Sequence, residues 1–202
     1  RLGASALMQG LADGYFVLPY TIQNYLSDQI QVPHFSTDLP EFEAVEKACI
    51  AEEERIMNIK GTKSVDSIHK ELGHIMWEYV GMGRTKEGLE KALKELKRIR
   101  KEFDTELFVP GKAGDGMNVE LDKAFRLKDF ITMGELIAYD ALNRNESCGG
   151  HFREEYQTEE GEAKRDDKNY FYVSCWNYQG NDDTAPQLIK EPLEYEAIKV
   201  QT

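Results

Sequence analysis

Cysteine is scarce in this chain: Cys49, Cys148 and Cys175 stand far apart, and no C-x-x-C pair occurs. That excludes a disulfide framework and a zinc ribbon, and it fits a reducing, cytoplasmic compartment. Long apolar runs are also missing. None approaches the roughly 20 residues needed to span a bilayer, and no charged, apolar, small-residue signal series opens the chain. Direct membrane insertion is therefore not expected, and any membrane association should go through a partner. Positive charge is in deficit, with 25 basic against 37 acidic residues and a net charge of −12. Phosphates would be repelled, so no nucleic-acid partner is expected. There is no H-E-x-x-H, no P-loop and no complete G-x-G-x-x-G. The stretch "GMGRTK" holds only the first two glycines of the last pattern and follows a helical stripe, so it reads as a helix stop.

What is present is a helical pattern. The 202 residues are 41% hydrophobic, enough to bury a sizeable core. Leu7, Leu11, Tyr15, Leu18, Ile22 and Leu26 form a stripe at helical spacing, weakened by Gly10 and Gly14 and with a kink favoured at Pro19. Small residues three and four apart suggest close packing against something flat. The stretch "QVPHFSTDLPEF" breaks the pattern, and Asp38 with Glu41 gives a capping-box-like start to a second helix whose buried face is marked by Phe42, Val45, Cys49 and Ile56. Another helix begins near Ser64 and carries Val65, Ile68, Leu72, Ile75, Met76 and Tyr79 to the "GMG" stop. From Thr85 to Phe108 the residues Leu89, Ala92, Leu93, Leu96, Ile99, Phe103 and Leu107 make one apolar line under a charged face. A last helix is expected over 119–143, with Leu121, Ala124, Phe125, Ile131, Leu136 and Ile137 inward.

Short loops between such helices imply antiparallel neighbours. The expected fold class is mainly α: an antiparallel bundle of three to four helices with an irregular C-terminal tail containing short β-strands. "NYFYVSCW" and "LEYEAIKV" are the strand candidates.

Few residues suggest chemistry. His69 and His74 are five apart, about 140° around a helix, and so are poorly placed for one metal. Cys148 and His151 are near enough in sequence for a thiolate–imidazole pair, but nothing nearby supplies an oxyanion hole or lowers the thiol pKa. "NES" at Asn145 matches a glycosylation acceptor formally, against the reducing cysteine usage. Arg1 is different, because a guanidinium offers two parallel donors to a carboxylate, and Gly3 and a helix start follow at once. The chain opens on Arg1 and not on methionine, so the opening stretch is expected to be the cut edge of a site.

"RLGASALMQGLADG" resembles the C-terminal flavin segment of the succinate dehydrogenase and fumarate reductase flavoprotein subunit, where the pattern runs N-R-L-G-(G/A)-N-S-L. Arg1, Leu2, Gly3, Ala4 and Leu7 match, while Ser5 stands where the family commonly has Asn and Ala6 where it has Ser. A second stretch, "RNESCGGHFRE", resembles the family's R-x-E-S-R-G-A-H-x-R, and "RDDKNY" follows in place of R-D-D-E-N-W. Gly149, His151 and Arg153 match; Cys148 replaces an arginine. L-Aspartate oxidase shares R-L-(A/G)-x-x-S-L, and the second stretch favours the dicarboxylate dehydrogenase branch.

The resemblance implies that Arg1 binds a carboxylate of succinate or fumarate and that Ala6 and Leu7 contact FAD through backbone atoms. It implies a parent subunit that passes electrons to an iron–sulfur subunit and, through it, to a membrane anchor subunit at the inner face of the cell membrane. The expected organisation is 1–36 as the terminal helix of the flavin-binding domain, 37–147 as the helical bundle and 148–202 as the tail. The family's dinucleotide fold and catalytic arginine would precede this segment, so the chain by itself should be inactive. A freestanding helical interaction module is the competing reading.

Overall fold

The structure, a computed structural model, describes residues 4–114, 116–180 and 184–197, with residues 4 and 5 described through their backbone alone. It divides into two compact units, residues 1–50 and 51–202.

In the first unit, α1 (Ala4–Ala12), a π-helical turn (Asp13–Val17) and α2 (Leu18–Leu26) follow one another without a break. Pro19 would crowd the carbonyl four residues before it in a regular helix. The widened turn absorbs this, with the Leu18 N–H donating to Asp13 O five residues back, so the expected kink takes the form of a π-turn. The stripe from Leu7 to Leu26 exists as read, yet all six of its residues are 44 to 73% exposed. Helix α3 (Pro40–Met57) begins on proline, which has no N–H to leave unsatisfied. Of its expected buried face only Ile56 is buried, together with Met57; Phe42, Val45 and Cys49 are exposed, because the core takes up only the last turn of α3. Spacing marks an apolar stripe but not what covers it.

The second unit is built on α4 (Val65–Val80), α5 (Lys86–Glu106) and α6 (Val119–Asn143), running up, down and up. Each begins on a side-chain cap. Ser64 Oγ accepts the Ser67 N–H, Thr85 Oγ1 accepts the Gly88 N–H, and Asn118 Oδ1 accepts the N–H groups of Glu120 and Leu121. Their inner faces meet in one core, with Ile68, Leu72, Leu89, Leu96, Ile99, Phe103, Leu127 and Ile131 at most 4% exposed. Each such burial contributes about 1.5–3 kcal/mol. Along α6 the inner line runs through Leu127, Ile131, Gly134, Ala138 and Ala141. Ile137, expected inside, is exposed, and Leu136 is only half-buried. Gly134 explains the shift: a Cβ there would stand 3.1 Å from Met76 Sδ, so bare backbone lets α6 approach α4.

Two residue pairs unforeseen in the sequence, β1 (Lys63–Ser64) and β2 (Leu107–Phe108), pair in parallel and tie the start of α4 to the end of α5. After the one-turn α7 (Asp167–Tyr170), β3 (Tyr172–Asn177) pairs antiparallel with β4 (Gln187–Pro192) in the register Tyr172↔Pro192 to Asn177↔Gln187. The first strand is where "NYFYVSCW" places it. The second lies before "LEYEAIKV": among the described residues, 193–197 form no strand. Alternation faces Tyr172, Ser174 and Trp176 inward, and Trp176 Nε1 donates to Asp140 of α6 at 3.0 Å.

Candidate functional site

The sequence points to two places. The first is the opening strip. Arg1 lies outside the described residues; Ala6 and Leu7 lie in the first turn of α1, and both are exposed. The first four N–H groups of any helix lack an intrahelical acceptor, and they carry the positive end of its dipole. Ala6 adds almost no bulk beside them. Exposed main chain at a helix start, with no bulk at Ala6, suits the carbonyl-bearing, hydrogen-bond-accepting edge of a flavin, so these residues fit a flavin held by main-chain contacts.

The second place is the segment from Arg144 to Asp167, where a dense polar network replaces an apolar core. Arg153, 1% exposed, is the centre of it. Its Nη1 donates to the Ala141 and Leu142 carbonyls at 2.9 and 3.4 Å, so it satisfies the last turn of α6 where the dipole favours a cation. Its Nε donates to Glu155 Oε2 at 3.1 Å, and the other oxygen of Glu155 accepts the Lys86 N–H at the start of α5. Burial acts to raise the Glu155 pKa, but its bonds from Lys86 and Arg153 outweigh this and hold it below the usual carboxylate range. One ion pair thus joins the negative end of α6 to the positive end of α5. The Ser147 hydroxyl donates to Arg153 O and accepts the Arg153 N–H, closing the same loop.

Around this centre Arg144 gathers the tail. Its guanidinium donates to Glu146, to the Tyr170 and Tyr172 carbonyls and to Ser174, and it lies against the rings of Tyr170 and Tyr172. Glu146, 2% exposed, accepts the Asp166 N–H through its other oxygen at 2.8 Å. Both "RNES" and "RDD" are therefore parts of one brace.

His151 sits at the edge. It closes a hairpin with Cys148 through paired backbone bonds of 2.8 and 3.0 Å around Gly149 and Gly150, and Gly149 takes φ +58°, a turn that demands glycine. Its Nδ1 is 2.9 Å from Arg84 Nη1 and its Nε2 is 2.9 Å from the Arg144 carbonyl. A guanidinium can only donate, so Nδ1 accepts and Nε2 carries the proton. Burial, with the guanidiniums of Arg84 and Arg153, holds the imidazole below the usual histidine range, against the opposing effects of the Arg144 carbonyl and Asp140. With both ring nitrogens engaged, His151 has none left to deprotonate Cys148. The neighbourhood of the two residues is a turn and not a nucleophilic pair.

Arg84 was not singled out by sequence. Its Nε caps α4 by donating to the Val80 and Gly81 carbonyls, both at 3.1 Å, and its backbone bridges to Phe152 and Glu154. An arginine directly after helix-stop glycines is the signal that could have marked it. His69 and His74 are exposed on α4, and His69 stands against Phe130 at 5.5 Å. Among the described residues no group of three or more His, Cys, Asp or Glu could hold a metal, and no helix is long and apolar enough to cross a membrane.

The helical bundle has the fold of part of a solved quinol–fumarate reductase with menaquinol molecules, which matches 84% of this chain and 28% of its own, at TM-score 0.68 and 22% identity. At that identity the likeness is one of fold. The chain belongs to the family described as the fumarate reductase flavoprotein C-terminal region, which matches over residues 69–202. The fumarate reductase flavoprotein subunit of Helicobacter pylori is 26% identical over 200 residues, 99% of this chain and 26% of that subunit. L-Aspartate oxidase 2-b of Nicotiana tabacum is 34% identical over 89 residues, 44% of this chain and 13% of that enzyme. The chain thus spans about a quarter or less of the length of these relatives. The resemblance read from the two stretches is borne out.

Proposed function

We propose that this chain works as the C-terminal part of a flavoprotein subunit that interconverts succinate and fumarate. The reading rests on the family match over 69–202, joined to the Arg1–Leu7 strip that lies outside that span and carries the flavin-segment pattern on its own. In it, Arg1 holds one carboxylate of the dicarboxylate through paired donors. The backbone of Ala6 and Leu7 orients the isoalloxazine edge, and the small side chain of Ala6 keeps that approach open. FAD, when bound, supplies the acceptor or donor of the hydride. The exposed stripe from Leu7 to Leu26 packs against the flavin-binding domain. Electrons leave to an iron–sulfur subunit, and a membrane anchor subunit holds the assembly at the cytoplasmic face.

Two measurements test this. The purified chain is expected to be colourless and inactive in a succinate-to-dye assay; a stoichiometric flavin spectrum from it would overturn that part. The coding sequence directly upstream of Arg1 is expected to read His-Gly-Ala-Asn, with a strand–G-x-G-x-x-G–helix unit further upstream. A start codon at that point would favour the freestanding interaction module. The L-aspartate oxidase reading is carried by the Nicotiana tabacum likeness; the longer protein turning over L-aspartate in preference to succinate would favour it.

A further inference from the structure

Four segments converge on one imidazole. The α4–α5 loop brings Arg84, α6 brings Asp140, the turn after α6 brings the Arg144 carbonyl, and the hairpin 148–153 brings Cys148, His151 itself and Arg153. The backbone of the same loop is stitched to the same hairpin: the Arg84 N–H donates to Phe152 O at 3.0 Å, and the Glu154 N–H donates to Arg84 O at 2.9 Å. Those two bonds, the Lys86 N–H to Glu155 bond and the Arg84–His151 contact join the loop to the 148–155 segment. Only the last depends on a protonation state near neutrality, because Nδ1 accepts from Arg84 only while it is bare.

We propose that His151 is a proton-operated latch: neutral, it holds the α4–α5 loop against the 148–155 segment, and protonated at Nδ1 it expels Arg84 and frees the loop. Protonation turns the acceptor into a donor facing a donor and adds a third cation between Arg84 and Arg153. Asp140, already accepting from Trp176, is the carboxylate that acts on the imidazole, and it opposes the opening only in part. The rest of the fold does not depend on the latch. Arg153 keeps its bonds to α6 and Glu155.

The test is amide hydrogen exchange on the full chain, corrected for intrinsic rates. Between about pH 7.5 and about pH 5, the protection of the Arg84 and Glu154 amides is expected to fall about tenfold or more, while core amides such as Leu96 and Ile131 keep theirs. His151→Gln is expected to abolish that pH dependence. Unchanged protection at Arg84 and Glu154, an equal fall in the core, or the same acid loss in His151→Gln would each overturn the latch. The wild type alone gives a second reading that no folding defect can blur. The ¹⁵N shifts of His151 should report a bare Nδ1, a protonated Nε2 and titration below the ordinary value of 6.5. An Nδ1–H tautomer, or titration at or above that value, would refute it.

Discussion

Replacing Arg153 by methionine keeps most of the side-chain volume and removes the charge. Four contacts are lost together. The Ala141 carbonyl, bonded at 2.9 Å in a fully buried position, is left without its donor, which costs about 1–3 kcal/mol. The Leu142 carbonyl, at 3.4 Å, adds little. Glu155 loses a charge-assisted partner; its side chain is 39% exposed and water compensates in part, so this contributes about 1 kcal/mol or less. The contact of the guanidinium with the Tyr156 ring, 5.4 Å from its centroid, adds about 0.5 kcal/mol. The sum is about 3 kcal/mol, within the range measured when one partner of a buried ion pair is removed. In a unit of this size that lowers the midpoint of thermal unfolding by about 6–12 °C. Circular dichroism melts and urea titrations of the purified chain read it, and Arg153→Lys, which keeps charge but not the fork, should fall between wild type and methionine. A loss below about 1 kcal/mol for the methionine variant would refute the assignment of Arg153 as the brace between α5 and α6.

Other outcomes follow from the same geometry. Phe103→Ala, at the buried end of α5, should cost about 3–5 kcal/mol in urea unfolding. Gly134→Leu forces bulk into the α4–α6 contact and should cost about 1–3 kcal/mol by the same measurement. The hydrogen bond from Arg55, with burial opposing and Lys128 assisting, lowers the Glu52 pKa from its ordinary 4.5 to about 2. The stability it contributes is therefore present above pH 4.5 and is lost as pH falls through about 2. Screening reduces that contribution to about 1 kcal/mol, so Glu52→Gln should remove that much at neutral pH and flatten the acid limb of a stability–pH profile.

The legible and illegible parts of this chain differ in physical kind. Helices α4, α5 and α6 could be read from spacing because each has one side against the core and caps that bond locally, and both signals live within a few residues of sequence. The exposure of Phe42, Val45 and Cys49 could not be read that way, because a stripe carries no record of what lies over it. Gly134 hid the true inner line of α6, since a glycine adds nothing to a hydrophobic pattern while deciding which face can approach. The strand Gln187–Pro192 was missed because two apolar residues beside lysine and glutamate, with prolines nearby, make a faint alternation that only its partner completes. The second stretch stood out by resemblance, but its role did not. Glu146, Ser147 and Arg153 lie close together in sequence, but the groups that satisfy them as they are buried, the end of α6 and the backbone of Lys164 and Asp166, come from other segments, a pattern no local window contains. Arg84 belongs to the same cluster through three-dimensional proximity alone.

The most direct test of the central claim uses the longer flavoprotein subunit of which, on the proposed reading, this chain is the C-terminal part. Purified, it should show a flavin spectrum and interconvert fumarate and succinate; Arg1→Gln should keep the flavin and lower kcat/KM by about 100-fold or more, since a paired carboxylate contact of this kind is worth about 3 kcal/mol. A longer protein without flavin, or an Arg1→Gln variant with unaltered kcat/KM, would contradict it.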